Sequence, residues 1–253
     1  MNPSTEPKKG DATARAAGRS RFHLGARRYS VAQFLVALVV LFVSAPFVEE
    51  MEHGLVVETV LVSLVLLSAV PAVGGGRRTL MWAIALVVPA LLGRWGHVAW
   101  SARIFPEAGL VPTLLFILFV VLHLLRFILR APRVNSEVLF AGVATYLMLG
   151  LLWAFAYILV HRMSPNSFTF TVGSSDGQTM SGFNALYFSL ITMSTVGYGD
   201  IVPVSPVARM LAMTQAMTGT IYMAVLISRL VALHTSAPAV DAQAPTSEKD
   251  NQR

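Results

Sequence analysis

The sequence predicts an all-α membrane protein with six transmembrane helices and one shorter re-entrant helix. Of its 253 residues, 55% are hydrophobic and only 13% are charged, which is more apolar surface than one soluble core could bury. Six apolar runs have about the length needed to cross a hydrocarbon layer. A further apolar stretch is enclosed in a polar segment, as is typical of a chain that enters the membrane and returns to the same side.

The six apolar runs cover 31–47, 55–73, 79–93, 109–129, 138–160 and 204–233. The third run is short and contains Pro89, where we expect a kink. The first run ends in residues 43–45, which are similar to a signal-peptidase site, but Pro46 directly after them disfavours cleavage.

The distribution of charge predicts the orientation of the helices. The net charge is +6, and seven lysines and arginines precede the first run, where membrane proteins place cytoplasmic charge. The first connection is acidic, whereas the second and fourth are basic. We therefore expect a multi-pass protein of the cell membrane with both termini in the cytoplasm. The third connection fits less well, because Arg94 and Arg103 fall on the predicted outer side.

Composition divides the chain into four predicted parts. Residues 1–28 are polar and basic, which predicts a disordered cytoplasmic arm. Residues 29–133 carry the first four helices, and residues 134–234 carry the last two helices with the re-entrant segment. Residues 235–253 form a predicted disordered tail that is too short for a regulatory domain. The pI of about 10.1 does not indicate nucleic-acid binding, because no basic motif with interleaved aromatic residues occurs.

The residues give no support for an enzyme or a cofactor. The chain has no cysteine, so disulfides and thiolate metal sites are excluded. We find no paired carboxylates, no nucleophile with a base and no metal-ligand spacing. Glu58 and His123 are ionisable groups in or near apolar runs, and we favour contacts between helices over a proton-sensitive pair.

The most specific motif follows the re-entrant helix, which we predict over residues 183–193. Residues 192–200 read Thr-Met-Ser-Thr-Val-Gly-Tyr-Gly-Asp. Gly197 and Gly199 can take left-handed dihedrals without a Cβ penalty, so successive carbonyl groups can turn to one side. Carbonyl oxygens arranged in this way can replace the hydration shell of a cation.

Residues 195–199, the filter segment, resemble the selectivity filter of the potassium channel superfamily, and residues 136–233 resemble its pore module. The resemblance implies a K⁺-selective channel without a cofactor, in which K⁺ is the permeant ion. Its partners would be K⁺, membrane lipid and further copies of the chain, because one filter strand forms a quarter of the cage of a homotetramer. The implied K⁺ ligands are carbonyl groups of Thr195, Val196, Gly197 and Tyr198, and Gly199 completes the filter.

The resemblance also implies supporting residues around the filter segment. Asp200 matches the acidic residue that follows the filter, and Ser194 directly precedes it. Tyr187 and Phe188 stand where aromatic residues brace the filter tyrosine, although lipid-facing bulk is an alternative for both. The position beside the filter that carries a glutamate in some family members is occupied by Ile191 in this sequence. A carboxylate pair with Asp200 is therefore not expected.

The last apolar run carries the implied gating residues. Gly219 falls at the position of a hinge glycine, and glycine weakens a helix by about 1 kcal/mol relative to alanine. Close packing of helices on a small residue is the alternative explanation. Thr220, Met223 and Ile227 share one face of the helix and match positions that line the cavity.

Two other functions remain open at this point. The chain could be a subunit of a coupled K⁺ uptake system, although such proteins usually carry four pore-like repeats in one chain. It could also be a membrane sensor that keeps a pore fold without conducting.

We expect little or no steep voltage dependence. A voltage sensor needs basic residues through the membrane, since each charge moved contributes about 2.3 kcal/mol per 100 mV. Residues 110–125 contain no Arg or Lys, and Arg126, Arg130 and Arg133 cluster at the predicted cytoplasmic end as topology anchors. Conductance against voltage in symmetric K⁺ measures the gating charge. A value near the roughly three to four charges per subunit of a dedicated sensor would contradict this expectation.

Overall fold

The computed structural model describes residues 30–49, 51–74, 76–99, 109–132, 135–171, 179–180 and 182–235. The predicted arm, residues 1–28, lies outside this part of the chain. The same holds for all but the first residue of the predicted tail, and for Arg103 and Arg133.

The described residues contain six helices that are long and apolar enough to cross a membrane, which confirms the predicted fold class. A seventh, shorter helix matches the predicted re-entrant helix to within one residue. The helices are α1 Ser30–Glu49, α2 Gly54–Val73, α3 Arg77–Ala99, α4 Leu110–Arg130, α5 Ser136–Met163, α6 Gly182–Met193 and α7 Pro206–Thr235.

Helix α3 is longer than the sequence predicted, and Arg94 lies within it rather than in a connection. The Arg94 guanidinium donates from Nη2 to Glu58 Oε1 of α2 at 3.2 Å. It also lies 5.4 Å from the ring centroid of Phe155 in α5. The Arg94 side chain is only 11% exposed, and a buried charge in a membrane segment is tolerated when it is paired. Arg94 is therefore a contact between helices.

The predicted helix contact is confirmed for Glu58, whose partner is Arg94. His123 makes a different contact, because its Nδ1 lies 3.2 Å from the carbonyl oxygen of Phe119, one turn earlier in α4. Its ring also packs against the Phe119 ring, with 4.4 Å between the centroids.

A five-residue connection, 131–135, joins α4 to α5. Helix α4 ends where Ala131 takes an extended conformation before Pro132. Helix α5 begins at a cap, since the Asn135 side chain accepts a hydrogen bond from the Val138 amide at 3.0 Å. Helix α4 packs against α5 of the same chain.

Helix α5 occupies the centre of the fold and has the largest share of buried residues among the six spanning helices. It packs against α4, α6 and α7. At the end of α4, Arg229 of α7 donates from Nη2 to the carbonyl oxygens of Leu129 and Ala131, at 3.1 and 2.9 Å. A cation favours the carbonyl end of a helix, so this contact ties α7 to α4 across α5.

A small antiparallel sheet, which the sequence did not predict, lies beside the filter segment. Strand β1, Phe168–Phe170, pairs with strand β2, Ile201–Pro203. Phe168 stands opposite Pro203, and Phe170 stands opposite Ile201. Three-residue strands are too short to show a period of two, and their pairing brings together distant parts of the chain.

We expect the Glu58→Leu variant to be less stable than the wild type, because it leaves the Arg94 guanidinium buried without its carboxylate. The loss should be roughly 2 kcal/mol, below the range for fully buried pairs because the Glu58 side chain is 33% exposed. Thermal unfolding in detergent measures it. The Glu58→Leu/Arg94→Leu double variant should regain most of the loss, and additive losses would contradict a pairwise interaction.

Candidate functional site

The filter segment follows α6 after one residue and is hydrogen bonded to the last turn of that helix. The backbone amides of Val196 and Gly197 both donate to the carbonyl oxygen of Ile191, at 2.9 and 3.3 Å. The amide of Thr195 donates to the carbonyl oxygen of Thr192 at 3.1 Å. The position of the first filter residues is therefore fixed by the position of α6.

Every second residue of the filter segment has a left-handed backbone. The φ angles are +61° at Thr195, +52° at Gly197 and +80° at Gly199. Side groups and carbonyls alternate between faces in a regular strand, and a left-handed residue at each second position can cancel this alternation. Glycine takes such angles freely, whereas a β-branched threonine does so under strain. Strain of this kind persists where the surrounding structure holds it.

The C-terminal end of the filter segment is attached to two elements. The Tyr187 hydroxyl of α6 donates to Asp200 Oδ2 at 2.6 Å, and the Ile201 amide donates to Asp200 Oδ1 at 3.0 Å. Thr171, directly after β1, donates from its hydroxyl to the Gly199 carbonyl oxygen at 2.8 Å. In this contact the Tyr187 phenol is the donor and the Asp200 carboxylate is the acceptor.

The structure places the other two predicted supporting residues at α6 itself. Phe188 is buried and packs edge-on against the rings of Tyr157 and Phe168, with centroids 4.9 and 5.6 Å away. These partners lie on α5 and β1, so Phe188 supports α6 from the α5 side. The Ser194 hydroxyl donates to the Leu190 carbonyl oxygen at 2.8 Å and closes the end of α6. Direct bracing of the filter tyrosine by Phe188 stays a prediction.

Gly219 lies where α7 crosses the end of α6. A Cβ on Gly219 would lie 2.5 Å from the Met193 carbonyl oxygen and 2.6 Å from Met193 Cγ. Helix α7 continues through this position without interruption. The geometry favours the packing alternative in this conformation, and the predicted hinge stays a prediction.

The filter segment and the predicted cavity residues are exposed in a single chain. Tyr198 is 73% exposed and Val196 is 53% exposed. Thr220, Met223 and Ile227 are exposed on α7. One chain therefore covers one side of any ion at the filter segment.

Sequence reasoning missed a buried polar cluster behind α6, centred on Gln215 of α7. Gln215 Oε1 accepts a hydrogen bond from the Tyr157 hydroxyl of α5. Its Nε2 donates to the carbonyl oxygen and the hydroxyl of Ser189, at 2.8 and 2.7 Å. The Ser189 hydroxyl donates to the Gly150 carbonyl oxygen at 2.6 Å. An amide inside an apolar run was the signal that could have indicated this cluster.

Comparison with known proteins gives a consistent match to this part of the chain. A family model described as ion channel matches residues 138–235. A voltage-gated potassium channel of Aeropyrum pernix is 31% identical over 97 residues, which are 38% of this chain and 28% of that protein. Two pore potassium channel c of Oryza sativa subsp. japonica is 37% identical over 67 residues, which are 26% of this chain and 14% of that protein.

Protein LctB of Geobacillus stearothermophilus is 32% identical over 100 residues, which are 39% of this chain and 74% of that protein. The chain spans less than a third of the length of the first two relatives. The region that the family model matches runs from α5 to α7 and contains the filter segment, α6 and the Gln215 cluster.

We expect Gly219→Ala to destabilise the protein by roughly 1–3 kcal/mol, as overpacking does. The added Cβ would meet a backbone carbonyl, which can give way only if α6 shifts. Gly142→Ala is the matched control, because its Cβ would lie 3.2 Å from the end of the flexible Leu226 side chain. Thermal unfolding in detergent compares them. Equal stability of the two variants would contradict the packing role.

Proposed function

The chain belongs to the potassium channel superfamily, and we propose on this premise that it forms a passive K⁺-selective channel. The single observation that carries the proposal is the left-handed backbone at every second residue of the filter segment. This conformation allows neighbouring carbonyl groups to face one side, which is the arrangement that coordinates a dehydrated cation.

In this proposal K⁺ sheds its hydration water and binds the backbone of the filter segment. The carbonyl oxygens of Thr195, Val196, Gly197 and Tyr198 are the ligands, and the Thr195 hydroxyl adds the innermost one. Because several binding sites lie in a row, repulsion between neighbouring ions drives each ion on to the next site, and binding does not prevent conduction. K⁺ is the transported ion and no resident cofactor takes part.

We propose a homotetramer with the filter segments around its four-fold axis. Backbone polar groups cannot face lipid, so the exposed filter segment needs either protein or water around it. Helix α7 also leaves an apolar face uncovered, which suits contact with another copy or with lipid. Its exposed residues are Val207, Met210, Met213, Met217, Ile221, Val225, Ile227 and Val231.

The proposed orientation places both termini in the cytoplasm and the α1–α2 connection outside. Helix α6 then enters from the outer side with its carboxyl end towards the pore, where the negative end of its dipole favours a cation. Thr220, Met223 and Ile227 lie further along α7 and would line the cavity below the filter. Gly219, between the filter and this cavity, would influence opening rather than permeation.

We expect a large reversal-potential shift under bi-ionic K⁺/Na⁺ conditions with purified protein in bilayers. Gly199→Ala should abolish the selectivity, because φ is +80° there and a left-handed backbone costs an L-residue about 1–2 kcal/mol. Gly76→Ala is the control. A Cβ at Gly76 or at Gly199 would meet no atom within 4 Å, but of these two glycines only Gly199 has a positive φ.

A near-zero shift for the wild type would rule out selectivity. An absence of K⁺ flux in liposomes would instead support a sensor that does not conduct. Selective conduction by Gly199→Ala would show that the left-handed backbone at this residue is not required.

We expect native mass spectrometry in detergent to give a complex of four times the 27.4 kDa chain. One filter segment cannot surround an ion, so assembly and coordination should occur together. A predominant monomer or dimer would contradict the proposed pore.

A further inference from the structure

We propose that Gln215 is a positioning residue that holds the pore helix α6 in register and thereby keeps the filter carbonyls aligned. The inference rests on the proposed K⁺ channel function and adds a determinant of selectivity outside the filter. Gln215 is fully buried and touches α5 and α6 from α7.

Each polar group of the cluster has a defined role as hydrogen-bond donor or acceptor. The Tyr157 hydroxyl donates to Gln215 Oε1, and both Nε2 hydrogens have an acceptor on Ser189. The Ser189 hydroxyl donates a hydrogen bond to the Gly150 carbonyl oxygen. Three helices are joined in this way by fully buried side chains, and an unpaired polar group is strongly disfavoured in such a place.

Close contacts with α7 and with α5 oppose sliding of α6 along its axis. Gln215 faces Ser189, and Gly219 faces Met193 one turn later in both helices. The two helices therefore run in the same direction with matched spacing at this contact. On the α5 side, a Cβ on Gly150 would lie 2.9 Å from Leu190 Cδ2, so α5 also approaches α6 closely.

A displacement of α6 at Ser189 would reach the filter segment directly. Ile191 lies two residues further along α6, and its carbonyl oxygen accepts the amides of Val196 and Gly197. The C-terminal end of the segment depends on α6 as well, through the hydrogen bond from Tyr187 to Asp200. A tilt or rotation of α6 would thus move both ends of the filter segment.

The chemistry of this position requires an amide. Glutamine supplies one acceptor and two donors from a single side chain. A carboxylate at Gln215 would keep the acceptor for Tyr157 but lose both donors to Ser189. Methionine would fill the space but would remove the acceptor of the Tyr157 hydroxyl and both donors to Ser189.

The experiment compares Gln215→Met and Tyr157→Phe with Tyr222→Phe as the matched control. The Tyr222 hydroxyl donates to the Gly142 carbonyl oxygen at 2.7 Å, which is another buried hydrogen bond between α7 and α5. It does not involve α6. Reversal potentials under bi-ionic conditions give the K⁺/Na⁺ permeability ratio, and thermal unfolding in detergent reports general destabilisation.

We expect Gln215→Met to lower the permeability ratio by on the order of tenfold, the factor that about one net hydrogen bond is worth. Tyr157→Phe should lower it by a smaller factor, because the bonds to Ser189 remain. Tyr222→Phe should keep the wild-type ratio even where it lowers stability.

A wild-type ratio in Gln215→Met would overturn the inference, and so would an equal reduction in Tyr222→Phe. If Gln215→Met does not assemble, Tyr157→Phe decides, and an unchanged ratio there overturns the inference. A wild type without K⁺ selectivity would be a separate result, which refutes the proposed function before any variant is measured.

Discussion

The left-handed backbone at Thr195, Gly197 and Gly199 is the constraint on which the rest of the pore region depends. The segment makes no core of its own, and its side chains are exposed in one chain. Such dihedrals persist only when neighbouring elements hold both ends. At the N-terminal end of the segment the backbone is hydrogen bonded to Ile191, and at its C-terminal end Asp200 is held by Tyr187. The segment is therefore as rigid as the elements that carry these anchors.

Most of these anchors lie on α6, which is only twelve residues long and is placed by its neighbours. Two glycines allow α5 and α7 to approach it closely, Gly150 on one side and Gly219 on the other. Close approach maximises dispersion contacts, which are the main attraction between helices in lipid. Dispersion contacts are not directional, whereas the hydrogen bonds of Gln215 with Tyr157 and Ser189 are. In our proposal these hydrogen bonds add to the packing contacts in holding the register of α6.

Within the part of the chain that the structure describes, Arg94 and Arg229 make contacts between the four leading helices and this region. Arg94 is paired with Glu58 and lies over the ring of Phe155, so this side chain links α2, α3 and α5. Arg229 holds the carbonyl end of α4 to α7. Helix α4 also packs against α5 of the same chain. These features suit a rigid support for the pore.

The sequence by itself determined the six spanning helices, the position of α6 and the filter segment. Long apolar runs and a glycine-containing motif are local signals, and the physics of lipid and of glycine dihedrals makes them specific. The sequence also indicated Asp200 and Tyr187 as supporting residues of the filter segment, but it did not show that their side chains are hydrogen bonded to each other. The length of α3 was misjudged, because a lone Arg94 in the sequence carries no sign of its distant partner.

Only the tertiary structure decided the contacts between parts of the chain that are far apart. The pairing of β1 with β2, the approach of Gly219 to Met193 and the Gln215 cluster each join segments that no local pattern connects. Phe188 illustrates the same limit, since its place in the sequence suggested the filter and its ring lies against α5. The direction in which a helical side chain points depends on which helix packs beside it, and that is a property of the whole fold.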